Sequence, residues 1–259
     1  MTNPETLRRD DETLDTFYHG RVRVLQKKKG YRFSVDAPLL ADFIRTRAED
    51  EALELGTGSG VIALLLSLEP FRRLTALEIQ PGLADLARRN VKLNGLGGRI
   101  EVVEADLRSF EPGRKFDLIF SNPPYIGTAT GFLSRSAEKS EAKHELHGGI
   151  GDVMAKTAEW LAPGGRACFI YPEKRRADFL AAAGERGLAV RRLRFVHPRD
   201  GEPPNLFLIE LGLASTGEKT TGQGDSSAKV EPELMPPLVL FCPDGNYTPA
   251  AEAVFAGPK

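Results

Sequence analysis

The run FDLIFSNPPYIG, Phe116 to Gly127, changes character half-way along. An apolar strand breaks into Asn122-Pro123-Pro124-Tyr125, and neither proline has a backbone N–H with which to continue a sheet ladder. Such a turn offers two rigid acceptors and a ring. The Asn122 side-chain carbonyl and the backbone carbonyl of Pro123 can together accept both hydrogens of one planar amino group. The lone pair of an amide or base amine is delocalised, so the group is a poor nucleophile. Two fixed acceptors favour its rehybridisation as positive charge develops. Tyr125 adds a face on which a flat substrate can stack. Group transfer to that amine then needs positioning more than a strong base. The bland alternative is a Pro-Pro turn capped by an Asn, and residues upstream weigh against it.

Those residues begin with LELGTGSGVIALLL, which sets Gly56, Gly58 and Gly60 between a short apolar strand and a helix, with Glu54 just ahead. Taken alone, a glycine turn is as well explained as a structural loop. The second strand ends at Glu78, where open α/β folds bind a ribose diol, and the third ends at Asp106. Three acids and a glycine turn thus converge on the carboxyl edge of a sheet, the edge where such sheets bind ligands. Glu54 would serve a diphosphate poorly. S-adenosyl-L-methionine, with its sulfonium and amino group, suits it better.

The elements that must position these groups alternate along the chain. Strands are expected at 51–55, 73–79, 99–106, 115–121, 166–172, 189–197 and 205–213. Helices are expected from Asp36 as N-cap, at 61–68, from Pro81 to Gly95, at 152–165 and at 173–187. Nearly all-apolar strands alternating with helices imply an α/β fold: a mostly parallel seven-stranded sheet, helices on both faces, and an antiparallel edge strand where no helix separates the last pair. Residues 1–35 read as an extension, frayed over 1–16 and basic towards its end; 36–213 as the ligand-binding domain; 214–235 as a mobile Gly/Ser/Thr linker; 236–259 as a tail that can lie back on the domain.

With 259 residues, 41% of them hydrophobic, and a net charge of -1, the chain can build a full core and is no chromatin-like DNA coater. Cys168 and Cys242 stand in no CxxC or CxxH spacing, so neither a disulfide scaffold nor a metal site is expected, and Cys168 reads as core. No run is apolar enough to span a membrane, and no signal-peptide core opens the chain, so a cytoplasmic protein is expected. The basic islands Arg21–Arg32, Arg72–Arg73 and Arg191–Phe195 each read singly as solvated faces. His144 reads as a cap or surface group, and Met154 and Trp160 as packing.

From Asp36 to about 212 the glycine turn and its three acids resemble the Rossmann-like class I methyltransferases, and Asn122 to Tyr125 resembles the (Asn/Asp/Ser)-Pro-Pro-(Tyr/Phe) motif of amino-methylating enzymes. Gly30-Tyr31-Arg32-Phe33 with Asp36, Leu39 and Leu40, the stretch Ala142-Lys143-His144-Glu145, and the ending LVLFCPDGNYTPAAEAVF are similar to a bacterial family of tRNA adenine-N6 methylases acting on a valine tRNA anticodon loop. The resemblance implies S-adenosyl-L-methionine as cofactor and a tRNA as partner, with no membrane or metal. Glu54 and the glycines would hold the methionine end, Glu78 the ribose, and Asp106 the adenine amine. Phe33, Ile79, Leu107 and Asn122 would also line that pocket, and Lys27, Lys28, Lys29 and Arg32 would touch phosphates. A linker longer than the family's and Lys143 in place of an Arg are departures. The same motif serves release-factor glutamine methylases and rRNA guanine-N2 methylases; the former carry a helical N-terminal domain and the latter a duplicated one, and neither is read here. A non-catalytic RNA-binding protein that retains the cofactor is the remaining alternative.

Overall fold

The computed structural model describes residues 6–29, 35–123, 149–214 and 231–258. The elements run β1 (Glu12–Phe17), β2 (Val22–Lys27), α1 (Asp36–Phe43), β3 (Glu51–Leu55), α2 (Val61–Leu66), β4 (Arg73–Glu78), α3 (Pro81–Leu93), β5 (Ile100–Glu104) and β6 (Phe116–Ser121). They continue α4 (Ile150–Trp160), β7 (Leu161–Pro172), a 3-10 turn (Glu173–Arg175), α5 (Arg176–Glu185), β8 (Leu188–Arg199), β9 (Leu206–Leu213), β10 (Glu233–Leu234), β11 (Leu238–Phe241) and α6 (Pro249–Ala256). Alternate residues of each central strand feed two cores. Leu118 and Phe120 of β6 pack with Leu40, Leu64 and Val254 on one face. Ile119, between them, packs with Met154, Trp160 and Phe179 on the other. Cys168, Met154 and Trp160 are buried, as their spacing suggested.

The central sheet runs β5-β4-β3-β6-β7-β9-β8, with β10 and β11 both paired to the outer side of β8. The seven expected strands are all present, but among the described residues the sheet has nine. Tail residues return after the linker and cover the exposed side of β8, because a long open edge is a liability for pairing with other chains. The antiparallel strand is also not at the edge. It is β9, antiparallel to both β7 and β8 and inserted between them. Its residues are buried almost throughout, which suits an interior position. Asp36 lies inside the first turn of α1 rather than capping it, where its carboxylate still complements the helix dipole. Helix α4 stops at Trp160, and Leu161 to Gly165 already belong to β7. Residues 215–230, most of the expected linker, lie outside the described residues. Among the described residues no helix is long and apolar enough to cross a membrane.

Of the segment read as frayed, residues 12–16 instead belong to β1, which forms a hairpin with β2. What holds it is polar and distant in sequence. Asn90 on α3 and Asn94, the residue that caps its C-terminus one turn later, face the backbone of β2 as a neighbouring strand would. Asn90 accepts from the Leu25 amide (2.7 Å) and donates to the Leu25 carbonyl (3.0 Å), and Asn94 does the same for Arg23 (2.9 and 2.7 Å). Arg89 adds a two-pronged ion pair to the buried Glu12, both contacts at 2.7 Å. Burial alone would raise the Glu12 carboxyl, yet hydrogen bonds from Arg89, the Arg9 amide and Lys27 bring it down to about 2.

The charges of Arg191–Phe195 are likewise consumed inside the fold. Arg192 is buried and donates to Glu210 and to the Phe43 carbonyl, both at 2.7 Å. Arg191 reaches the Leu213 carbonyl (2.9 Å) and Arg194 the Pro236 carbonyl (3.2 Å). That island braces the sheet edge and the end of α1.

The Asn90 amide also donates to the Ser59 carbonyl in the glycine turn, at 2.9 Å. Asn90→Ala strands three buried backbone groups, so it should lower stability by about 2 kcal/mol or more in urea unfolding, with Asn94→Ala costing less. Equal losses for the two variants would remove the special role of the Ser59 contact.

Candidate active site

The order of the sheet reverses between β3 and β6: β4 and β5 lie to one side, β7 to the other. A reversal of this kind opens a crevice beyond the carboxyl ends of the two strands, the place where open α/β sheets bind ligands. The parallel register sets Glu54 opposite Phe120. One residue on, the Ser121 hydroxyl donates to the Leu55 carbonyl at 2.6 Å in a buried bond. Gly56 therefore leaves β3 beside the point where Asn122 leaves β6.

The turn after β3 is shaped by left-handed glycines. At Gly56 (φ 71°) the space a Cβ would enter is open, whereas at Gly60 (φ 85°) a Cβ would come within 3.4 Å of Ala87 on α3. The first leaves room for a ligand against the backbone; the second allows helix packing. The Thr57 amide donates to the Leu77 carbonyl (2.8 Å), and the Gly58 amide to the Glu78 carboxylate (2.8 Å). Glu78 thus fixes the turn with one oxygen and accepts from the Gln80 amide with the other (2.9 Å). A carboxylate oxygen can accept more than one hydrogen bond, so this group can also be shared with a ligand hydroxyl.

Glu54 is buried, with the Thr57 hydroxyl donating to it at 2.5 Å. Desolvation pushes its carboxyl up to about 8; Thr57 and the Ala63 amide in the first turn of α2 pull the other way, and the Glu78 charge adds to the rise. Two buried acids at one crevice favour a ligand that brings positive charge. With the open backbone at Gly56, this donor set fits the sulfonium and ammonium of S-adenosylmethionine.

Asp106 follows β5, whose continuation is tied to β4 by the Ala105 amide donating to the Glu78 carbonyl (3.0 Å). Its carboxylate is shared with Arg108, at 2.5 Å in the closest contact. Ile79 is half-buried beside Glu78, and Leu107 packs at the margin of the core. Asn122 is half-buried and Pro123 buried at the tip of β6. Phe33, Arg32, Pro124, Tyr125 and His144 lie outside the described residues. In the basic segment Lys27 pairs with Asp11 (2.8 Å) and Glu12 (3.2 Å), Lys28 donates to the Asp10 carbonyl (2.8 Å), and Lys29 is exposed. Sequence reasoning passed over Thr57, Asn90 and Ser121. Only the position of Ser121, just ahead of Asn122, was a signal.

Residues 29–175 match the family described as methyltransferase small domain. A tRNA1(Val) (adenine(37)-N6)-methyltransferase of a Flavobacteriaceae bacterium (strain 3519-10) is 31% identical over 199 residues, covering 76% of this chain and 84% of the relative. The chain belongs to the methyltransferase small domain family. A relative with the same enzyme name from Cronobacter sakazakii (strain ATCC BAA-894) is 27% identical over 255 residues, or 96% of this chain and 95% of its own. A predicted O-methyltransferase of Agrobacterium tumefaciens shares the fold, with a TM-score of 0.60 at 23% identity over 85% of this chain and 94% of that one. In this methyltransferase the matched span holds every strand tip of the crevice; β8 to β11 lie beyond it.

The buried acid gives the methyltransferase a pH signature. Glu54 holds its proton up to about 8 when folded, against an ordinary value of 4.5. Between those values the unfolded chain has released a proton that the folded chain keeps, so stability falls as pH rises, by at most about 1.4 kcal/mol per pH unit, and levels off above the folded value. Glu54→Gln lacks that slope. Without cofactor it should match wild type in thermal melts near pH 4.5 and become progressively more stable than wild type towards pH 8. Added S-adenosylmethionine should then raise wild type more than the variant. A stability difference independent of pH would refute a neutral Glu54.

Proposed function

We propose that this enzyme methylates the exocyclic N6 amine of an adenine in a tRNA, with a valine tRNA anticodon loop as substrate and S-adenosylmethionine as donor. The observation that carries the reading is the Ser121–Leu55 bond, which sets the amine-accepting Asn122 beside the glycine turn. Relatives bearing a tRNA1(Val) (adenine(37)-N6)-methyltransferase name, over most of both chains, support the choice of amine.

When bound, S-adenosylmethionine supplies an electrophilic methyl carbon on a sulfonium. The chain's own residues do the rest. Glu54 and the left-handed turn at Gly56 hold the charged end, and Glu78 offers acceptors to the ribose while it shapes the loop. Asp106, Ile79 and Leu107 border the adenine side, and Phe33 closes the pocket. Asn122 and the Pro123 carbonyl accept the two hydrogens of the target amine and localise its lone pair as positive charge develops. Pro124 stiffens that turn, and Tyr125 stacks on the base. An anticodon-loop adenine is already single-stranded, so turning it into the site costs little. Lys27, Lys28, Lys29 and Arg32 supply a basic margin for phosphates, and the enzyme works in the cytoplasm, where tRNA is.

Incubation with labelled S-adenosylmethionine and separate pools of tRNA, rRNA and release factor tests the substrate. Label should appear in tRNA as N6-methyladenosine; label in glutamine or N2-methylguanosine would overturn the assignment. Asn122→Ala should lower kcat by roughly 10²–10³ while cofactor affinity changes little. A variant that loses cofactor binding in step with activity would take Asn122 out of the chemistry.

A further inference from the structure

The sheet continues past the methyl-transfer strand, and its far end reaches the same rim. β7 is parallel to β6, and β8 runs parallel to β7 because β9 is antiparallel to both; β11 is parallel to β8. The carboxyl ends of β8 and β11 therefore emerge on the side of the sheet that carries Asn122. From β6 to β8 is three strand steps, about 14 Å across the sheet at roughly 4.8 Å per step, and His197 stands four residues, about 13 Å, further along β8 than Leu193, which is level with Ser121. There the turn between β8 and β9 and the start of β11 enclose a cleft of about 440 Å³, within the range of small-molecule sites.

The lining has a definite chemistry. Pro203, Pro237 and Val239 give apolar walls, and His197, Asp200 and Glu202 give polar groups. The two acids disfavour a phosphate, and the nearby Arg199 guanidinium is held to Glu202 at 3.4 Å. His197 Nδ1 lies 2.7 Å from the Glu202 carbonyl oxygen, which can only accept, so Nδ1 carries a hydrogen and the ring is held against the turn. Two carboxylates thus present acceptors between apolar walls. A flat heterocycle bearing an amino group brings two N–H donors to that set, whereas uracil brings one between two carbonyls.

We propose that this cleft holds an unstacked, amine-bearing nucleobase of the RNA substrate, a few nucleotides from the methylated adenine. The inference rests on the reading of the substrate as tRNA. Single-stranded loops are recognised in this way, by splaying bases onto flat surfaces and reading their edges. The chain between the two sites suits the intervening backbone. The 3-10 turn after β7 carries Lys174, which is exposed, and it is fastened to the β8–β9 turn by the Glu173 amide donating to the Asn205 carbonyl at 2.9 Å. Lys174 is thus an exposed cation at the carboxyl end of β7, on the same rim as the two sites.

The test pairs protein variants with substrate variants. An Asp200→Asn/Glu202→Gln double variant and a separate His197→Ala variant alter exposed or half-exposed side chains and should fold normally by thermal melt. On an unmodified valine tRNA transcript, KM for the transcript should rise roughly fivefold or more in each variant, while kcat and S-adenosylmethionine affinity stay near wild type. Replacing the loop bases flanking the target by uridine, one at a time, should weaken wild type at one position, and the variants should show no further loss there. Unchanged KM in both variants, or additive losses at every position, would overturn the base pocket while leaving tRNA methylation intact. No methylation of any tRNA by wild type would overturn the tRNA reading and this proposal with it.

Discussion

A buried hydrogen bond from the Ser121 hydroxyl to the Leu55 carbonyl ties the end of β6 to the end of β3, and the site is built outward from that bond. A hydrogen bond of this kind adds only about 1 kcal/mol net, so its weight is in geometry. Side chains alternate along a strand, and a slip of one residue between β3 and β6 would turn Phe120 and Glu54 to the opposite faces. Leu118, Ile119 and Phe120 are fully buried, so the register is already costly to break. Ser121 carries that register past the last ladder pair to the point where both chains turn. The glycine turn and the turn that opens at Asn122 then start side by side.

The crevice is kept ready against the stability of the fold. Glu54 sits buried within reach of the Glu78 charge and holds its proton there, an arrangement that a purely structural core would avoid. Its cost is tolerated because the surroundings leave the turn little freedom. Glu78 holds the Gly58 amide, Leu77 holds Thr57, and Asn90 holds Ser59 from behind. Since Asn90 also pairs with β2, the N-terminal hairpin is part of the scaffold of the turn. A ligand with positive charge near Glu54 relieves the strain that this scaffold maintains.

How much of this the sequence disclosed follows from where each residue finds its partner. Parallel strands buried on both faces must be apolar throughout, so β3, β4, β6 and β7 were legible, as was α3 between Pro81 and Gly95. The acids at the strand tips were legible for the same reason: they interrupt apolar runs. The β1–β2 hairpin was not. Its anchors are Glu12 on Arg89 and the Leu25 backbone on Asn90, contacts 77 and 65 residues apart, and polar residues in a short amphipathic strand look like solvent-facing ones. Arg192 misled in the same way, since a buried guanidinium and an exposed one are spelled alike. The insertion of β9 between β7 and β8 was hidden because alternation gives the order of elements in sequence and says nothing of their order in space. β10 and β11, two and four residues long, are too short for periodicity to register.

The strands beyond β7 show why an α/β sheet of this kind would extend itself. β8 is twelve residues long and would present an open edge. Covering it with β10 and β11 protects the edge and buries Leu238 and Leu240 against the core shared with α1 and α6. Because β11 is added parallel, its carboxyl end emerges on the same side of the sheet as those of β6 and β7, with β9 and β8 between. The parallel addition therefore closes the edge and lengthens the rim of carboxyl ends, without disturbing the register of β3 and β6.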